Sequence, residues 1–395
     1  MPGEAGVPEK HFRYLQGTRP IGHYRAEYDA RREEHPAFRS TADGGYWVVT
    51  RMAPLRELFN DPGTFSNSGL TLLDPEPAEP AIPMQLDPPL HTAWRKPLMS
   101  EFSPARARAL DPVIRARCTE LIDAVIDRGS CDFVADIAQR LPVSVFLTML
   151  DLPQTELDRF LAWEEAVLRP DGDPESLDSV RAEVRGYFAD LLASRQAEPG
   201  DDLVSRMTTW RVDGRVPSRA ELTNLLFVLF IAGLDTISAQ LSYAFWHLAT
   251  HEEHRARLVR EPEVIPSAVE ELLRYYDIIL DGRRVTEDVE LAGCPMRKGD
   301  LVLLLSGAAN RDPREFERAD EVLLDRTPNR HLTFGWGIHR CVGAHLARQE
   351  LKVVFEEWHR RIPDYRIPAG SEVRERAFVQ LSVESLPLRW DGPSR

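Results

Sequence analysis

Cysteine is scarce and scattered in this chain of 395 residues: Cys118, Cys131, Cys294 and Cys341 stand far apart, with no CxxC pair. That spacing offers neither a disulfide framework nor a thiolate zinc site, so any special cysteine acts alone. Long apolar runs are missing as well. The longest, Leu225 to Leu234, is ten residues against the roughly 20 of a bilayer span, and reads as buried helix. The N-terminal MPGEAGVPEKHFRYLQ lacks the apolar core of a signal peptide, so a cytoplasmic protein is expected. Basic charge is in deficit, with 49 Lys and Arg against 63 Asp and Glu and a net charge of −14. This argues against a generic binder of nucleic acid or anionic membrane, which needs surplus cations. No internal repeat or long linker is visible, and residues 1–395 are expected to form one domain.

What is present is ample core material: 43% hydrophobic residues with 28% charged excludes wholesale disorder. A β-like run, Tyr46 to Arg51, precedes a helix-like MAPLRELFND. The acidic segment Asp74 to Pro83, with prolines at alternate or near-alternate positions, forbids helix and regular sheet and reads as a surface loop or lid. From Asp87 to about Val264 the pattern is helical, with breaks at PDGDP (170–174) and EPGDD (198–202). Ser218 and Glu221 form an S-x-x-E capping box, and apolar periodicity then runs to about His251. A helix of that length spans roughly 48 Å and, apolar nearly all round, belongs at the centre. A second capped helix is expected from near Ser267. VTEDVEL (285–291), LVLLL (301–305) and FVQLSVESLPLRW (378–390) look extended. Helix and strand segregate along the chain, which predicts a mainly α fold with a minor β-sheet region, α+β rather than doubly wound.

The decisive segment runs from Phe334 through Gly335, Trp336, Gly337, Ile338, His339, Arg340, Cys341 and Val342 to Gly343. Its glycines permit a tight turn and close approach to a flat ligand. Cys341 then opens the helical run AHLARQELKVVFEEW, where the positive end of a helix favours a thiolate. A thiolate is a strong metal ligand, and on haem iron it favours O–O cleavage.

The spacing F-G-x-G-x-H-x-C-x-G resembles the haem-binding loop of cytochromes P450. Further family signatures follow in order: DPPLHTAWR (87–95), EPGDDLVSRM (198–207), AGLDT (232–236) and Glu271-x-x-Arg274. The resemblance implies a P450 fold with a long central helix over haem b, and Cys341 as the axial iron ligand. It implies a monooxygenase like the soluble bacterial members, fed by ferredoxin and an NAD(P)H-dependent ferredoxin reductase. LDGRRVTED and RPDGDP look most like the camphor-hydroxylase branch, although the tyrosine that holds camphor's ketone has no counterpart in DPEPAEPAIPM.

Haem carries two propionates, which need donors. His91 and Arg95 share a helix face at i and i+4, His339 lies two residues before Cys341, and Arg283 matches the family's strand arginine. Phe334, Gly335, Gly343 and Ala232 complete the expected cofactor contacts. Glu271, Arg274 and Arg326 match a structural network that holds the cysteine loop. Asp235 and Thr236 interrupt an apolar helix. Thr236 can back-bond the Ala232 carbonyl, and the family assigns Asp235 to proton relay and Thr236 to stabilising the reduced oxygen species, general acid catalysis through water. By position, Val228, Ile231, Ala232, Ile279, Leu280 and Val379 line the substrate pocket, which suits a terpenoid-like, alkyl-aromatic or macrolide-type molecule. Arg95, Lys96, Arg340 and Arg348 form a basic face for an acidic ferredoxin. Oxidative coupling or rearrangement, a hydrogen-peroxide-driven peroxygenase, and a haem-thiolate protein that binds ligand without turnover are the competing readings.

Overall fold

The computed structural model describes residues 7–72, 77, 79–168, 174–378 and 380–391. Its spine is the helix Arg219–Thr250, 32 residues long, which starts at the capping box: Ser218 accepts from the Glu221 N–H while the Glu221 side chain accepts from the Ser218 N–H. This helix is long and apolar enough to cross a membrane, although no uninterrupted apolar run reaches that length; 72% of its most apolar window is buried inside the protein. Around it pack the helices Arg140–Met149, Leu157–Leu168, Pro174–Ala197, Glu252–Arg260, Ile265–Tyr275 and Ala344–Arg361, with Asp111–Ile126 against Arg140–Met149 and Ala344–Arg361.

The sheet portion is small. One six-stranded sheet runs in the order Glu9–Lys10, Ala37–Ser40, Tyr46–Val49, Leu301–Leu304, Asp281–Val285, Phe65–Ser66. Only two of its pairings, 9–10 with 39–40 and 302–304 with 47–49, are parallel. A three-stranded sheet joins Leu381–Val383, Arg374–Ala377 and Gly17–Pro20. The fold is therefore mainly α with a minor β region.

Local expectations were revised in three places. The helix carrying Glu271 begins at Ile265, not near Ser267, because the 3-10 turn Pro262–Val264 runs straight into it and Pro266 occupies the first turn; Ser267 donates back to the Val264 carbonyl instead of capping. VTEDVEL is not one strand. Val285 ends the strand from Asp281, while Val289–Leu291 forms a separate hairpin with Cys294–Met296. The cysteine helix starts at Ala344, three residues after Cys341. The break at 198–202 stands between Ala197 and Leu203, where Asp202 caps the short helix Leu203–Met207. Most of the 170–174 break, and Asp74, Pro75, Glu76 and Ala78 of the proline-rich loop, lie outside the described residues.

The long helix is shared between two hydrophobic cores. Its first half, Leu222 to Leu234, packs with Val143, Phe160, Phe188 and Trp163. Its second half, from Ile237 to Leu248, packs with Phe133, Leu351, Phe355 and Trp358. At the junction Ile231, Ala232, Gly233 and Thr236 are only half-buried, unlike most of the helix. A Cβ built on Gly233 would meet no atom within 4 Å. A hollow therefore opens where the two cores meet.

Candidate functional site

The cysteine segment is a closed hairpin. The Cys341 N–H donates to the Phe334 carbonyl at 2.7 Å, Gly335 N–H to Leu332 at 2.7 Å, and a 3-10 turn, Gly337–His339, fills the tip. Gly337 has φ +69°, and a Cβ there would lie 2.4 Å from the Phe59 carbonyl oxygen, so only glycine fits. Val342 packs on the same core as Ile231, and Phe334 on the same core as Ile237. The hairpin thus touches both of the cores that the long helix divides.

Cys341 is exposed, whereas Cys118, Cys131 and Cys294 are buried. Burial by the mass of protein around it nevertheless pushes the thiol pKa up; the Gly343 N–H and the charges of Arg95, Arg348 and Arg340 oppose that push without reversing it. The N–H at the helix start pulls toward the thiolate, as the sequence implies, but desolvation outweighs it and the three cations together.

Near the sulfur stand two imidazoles and two guanidiniums that no carboxylate neutralises among the described residues. His91, 2% exposed, and His339 face each other with ring centroids 3.9 Å apart. His91 Nδ1 and His339 Nε2 are buried with no partner. Burial, with neighbouring cations, lowers His91 to about 4 and His339 to about 3. Arg95 donates to the Arg340 carbonyl, and the buried Arg283 to the Gly282 carbonyl at 2.6 Å. Among the described residues neither arginine pairs with a carboxylate, and burial lowers the pKa of both. Buried donors left unmatched cost roughly 1–3 kcal/mol each. Two imidazoles and two guanidiniums converging on a thiol fit a group that offers two carboxylates and a metal: haem.

Arg283 reaches this place because its strand presses on the turn Asn67–Gly69. A Cβ on Gly282 would lie 2.5 Å from the Gly69 carbonyl oxygen, and one on Gly69 2.8 Å from the Arg284 nitrogen. Paired glycines, invisible as a motif, set the approach.

Glu271 and Arg274 are completely buried and joined by two bonds of 2.8 Å. Arg326 Nε donates to both Glu271 oxygens at 3.0 and 2.9 Å, and Asn329 Nδ2 and the Leu323 N–H add further donors. Arg274 spends its remaining donors on the Asn310, Ala319 and Glu321 carbonyls. Asn310 in turn accepts from the Leu332 N–H and donates to Thr333, stitching the start of the hairpin to this network.

On the long helix Thr236 Oγ1 donates to the Ala232 carbonyl at 3.0 Å. Asp235 is 7% exposed and accepts from Gln380 Nε2 at 2.9 Å. Val228 and Leu280 are buried, Ile231 and Ile279 half-buried, and Val379 lies outside the described residues. Ile279 pairs with Gln380 in a two-residue β-bridge. Sequence reasoning did not single out Gln380, Asn310 or Asn329; a lone amide carries no spacing signal.

The expected basic face is smaller than its sequence suggests. Arg348 is spent on Glu270, through bonds of 2.5 and 2.8 Å, and stacks over Phe334 at 4.3 Å. Burial raises the Glu270 pKa, but His331 and Arg348 overcome that and bring it to about 2, so the pair stays charged and self-neutralised. Lys96 and Arg340 remain exposed.

Comparison with known proteins agrees with this geometry. A family model described as Cytochrome P450 matches residues 194–358. The chain is 35% identical over 355 residues to a probable cytochrome P450 127A1 of Sinorhizobium fredii, covering 89% of this chain and 85% of that one. It is 35% identical over 386 residues to a mycinamicin IV hydroxylase/epoxidase of Micromonospora griseorubida, covering 95% and 94%. The crystal structure of cytochrome P450 CYP101C1 superposes with a TM-score of 0.90 at 34% identity, over 99% of this chain and 100% of that chain.

Proposed function

The chain belongs to the cytochrome P450 family, and from that premise we propose that it oxygenates an apolar small molecule, terpenoid-like, alkyl-aromatic or macrolide-type, with electrons from a separate ferredoxin and its NAD(P)H-fed reductase. It is a P450 monooxygenase whose cofactor is haem b. The observation that carries the reading is the exposed Cys341 near two imidazoles with an unpartnered ring nitrogen and two guanidiniums without a carboxylate partner among the described residues, beside a half-open stretch of a buried helix.

In this reading Cys341 ligates the iron, His91, Arg95, Arg283 and His339 hold the two propionates, and Phe334, Gly335, Gly343 and Ala232 give the flat ring its walls. When bound, the haem supplies the iron at which dioxygen is reduced and one of its atoms passed to the substrate. The chain's own part is positional and protonic. Glu271, Arg274 and Arg326 fix the hairpin from behind and touch no reacting atom. Thr236, bonded at rest to Ala232, has a hydroxyl that can turn into the hollow as a donor, and Asp235 carries protons inward from water.

Val228, Ile231, Ile279 and Leu280 offer apolar surface at the hollow, which supports an apolar substrate; one relative is named for oxidising mycinamicin IV. Lys96 and Arg340, exposed near the cysteine hairpin on a chain of net charge −14, support docking of an acidic ferredoxin. The test is Cys341→Ala. It is expected to lose the reduced, carbon-monoxide-bound absorbance band typical of thiolate haem, and an unchanged band removes Cys341 as ligand. A titration of apolar candidates that watches the haem band shift then identifies the substrate class.

A further inference from the structure

We propose that Gln380 is a positioning residue for Asp235, and that through it one wall of the substrate hollow is tied to proton delivery. The proposal rests on the reading of Asp235 as the proton relay. A carboxylate that is 7% exposed in an apolar helix needs a donor. Gln380, 9% exposed and 145 residues away in sequence, gives one: its Nε2 donates to Asp235 Oδ2 at 2.9 Å.

The kind of donor matters. Glu271 shows what this fold does to immobilise a carboxylate: two guanidiniums, one of them bidentate, at 0% exposure. Asp235 has a neutral amide, that of Gln380, among its partners. An uncharged amide steadies the carboxylate with a weaker bond than a guanidinium would make, which suits a group that must turn between taking a proton and releasing it.

The backbone of Gln380 is equally placed. It bridges Ile279, the neighbouring Leu381 N–H donates to the Ile278 carbonyl at 2.9 Å, and the Phe378 N–H closes a turn on the Gln380 carbonyl at 3.1 Å. Ile279 is itself pinned by its N–H to Asp277 Oδ1 at 3.0 Å. A substrate that presses on Ile279 or Leu280 therefore pushes the segment that aims the Gln380 amide. Side chain and main chain of one residue link the hollow's wall to the acid.

The test compares Gln380→Met, which keeps the length and removes the donor, with Asp235→Asn in the haem-loaded protein. Three readouts are taken: the solvent deuterium isotope effect on NAD(P)H-driven turnover, the share of electrons lost to peroxide, and the carbon monoxide stretching frequency of the reduced protein, which needs no turnover. Gln380→Met is expected to raise the isotope effect, to shift the stretching band, and to lower the ratio of product to peroxide by about tenfold, the loss of one hydrogen bond to a charged group. Should Gln380→Met match the parent while Asp235→Asn changes the readouts, the positioning role falls and the relay reading stands. Should Asp235→Asn also match the parent, the relay reading falls and takes this proposal with it. If Gln380→Met fails to bind haem, Gln380→Ser is measured in its place under the same criteria.

Discussion

A buried polar group is stabilising only when matched, and side chains around the hollow illustrate both cases. Glu271 collects donors from Arg274, Arg326, Asn329 and Leu323. Removing one partner of such a pair costs roughly 3–5 kcal/mol, because the other charge is stranded. Glu271→Ala is therefore expected to yield little folded, haem-binding protein, measured as soluble yield and absorbance; normal haem content would contradict the network's role. Thr236 is a milder case, bonded only to its own helix. Thr236→Ala should keep substrate binding and divert electrons to peroxide, and a fully coupled variant would rule the hydroxyl out. The cysteine, the Glu271–Arg274 pair and the two histidines found facing each other, His91 and His339, stood out in the sequence because their motifs have fixed spacings. Gln380, Asn310 and Asn329 were not, since single amides find their partners only when distant segments meet. Arg348 was read as free charge because sequence does not show that Glu270 lies across from it.

Among the elements, legibility followed locality. The long helix could be read to within a residue, its start set by a capping box and its length by periodicity. The strands could not, because their ends depend on partners: Val285 stops pairing where Phe65 does, and Cys294–Met296 exists only as the mate of Val289–Leu291. The cysteine hairpin joins both kinds. Its glycines were evident, but Gly337 is demanded by the Phe59 carbonyl from a helix over 270 residues earlier as much as by its own φ. Gly337→Ala should force the hairpin off that contact. The expected result is a several-fold loss of haem retention on gel filtration, with far-ultraviolet circular dichroism little changed; full retention would show that Phe59 can yield.

For the molecule as a whole, buried titratable groups set the pH range of stability. Glu350, in the cysteine helix, is 1% exposed, its Oε2 lacks a partner, and burial raises it to about 8. The unfolded chain releases that proton near the ordinary carboxyl value while the folded protein keeps it, so Glu350 costs stability progressively as pH rises from about 4.5 to 8. Glu350→Gln should be more stable than the parent by about 2–4 kcal/mol at pH 8 and nearly equal to it at pH 5, read from denaturant melts; equal gains at both pH values would show that the carboxyl ionises in place. His247 and His359 act in the opposite sense. Burial lowers them to about 2 and about 4, so the unfolded chain takes up protons that the native protein refuses, and stability falls as pH drops below about 6.5. The parent's melting temperature should peak in the mildly acidic interval between these opposed slopes.

Because the spine helix belongs to one core before residue 235 and to another after it, the cavity has two landlords, joined through Phe102 and Met149. Larger or smaller side chains among Val143, Phe160 and Phe188 act on the forward core, which also holds Trp94 and Leu98 of the helix bearing His91 and Arg95 and touches Val342 beside the cysteine, whereas Glu271, Arg274 and Arg326 lie outside it. A change made in the forward core is therefore expected to be felt on the His91 and Arg95 side of the prosthetic group before it reaches the buried Glu271–Arg274–Arg326 network.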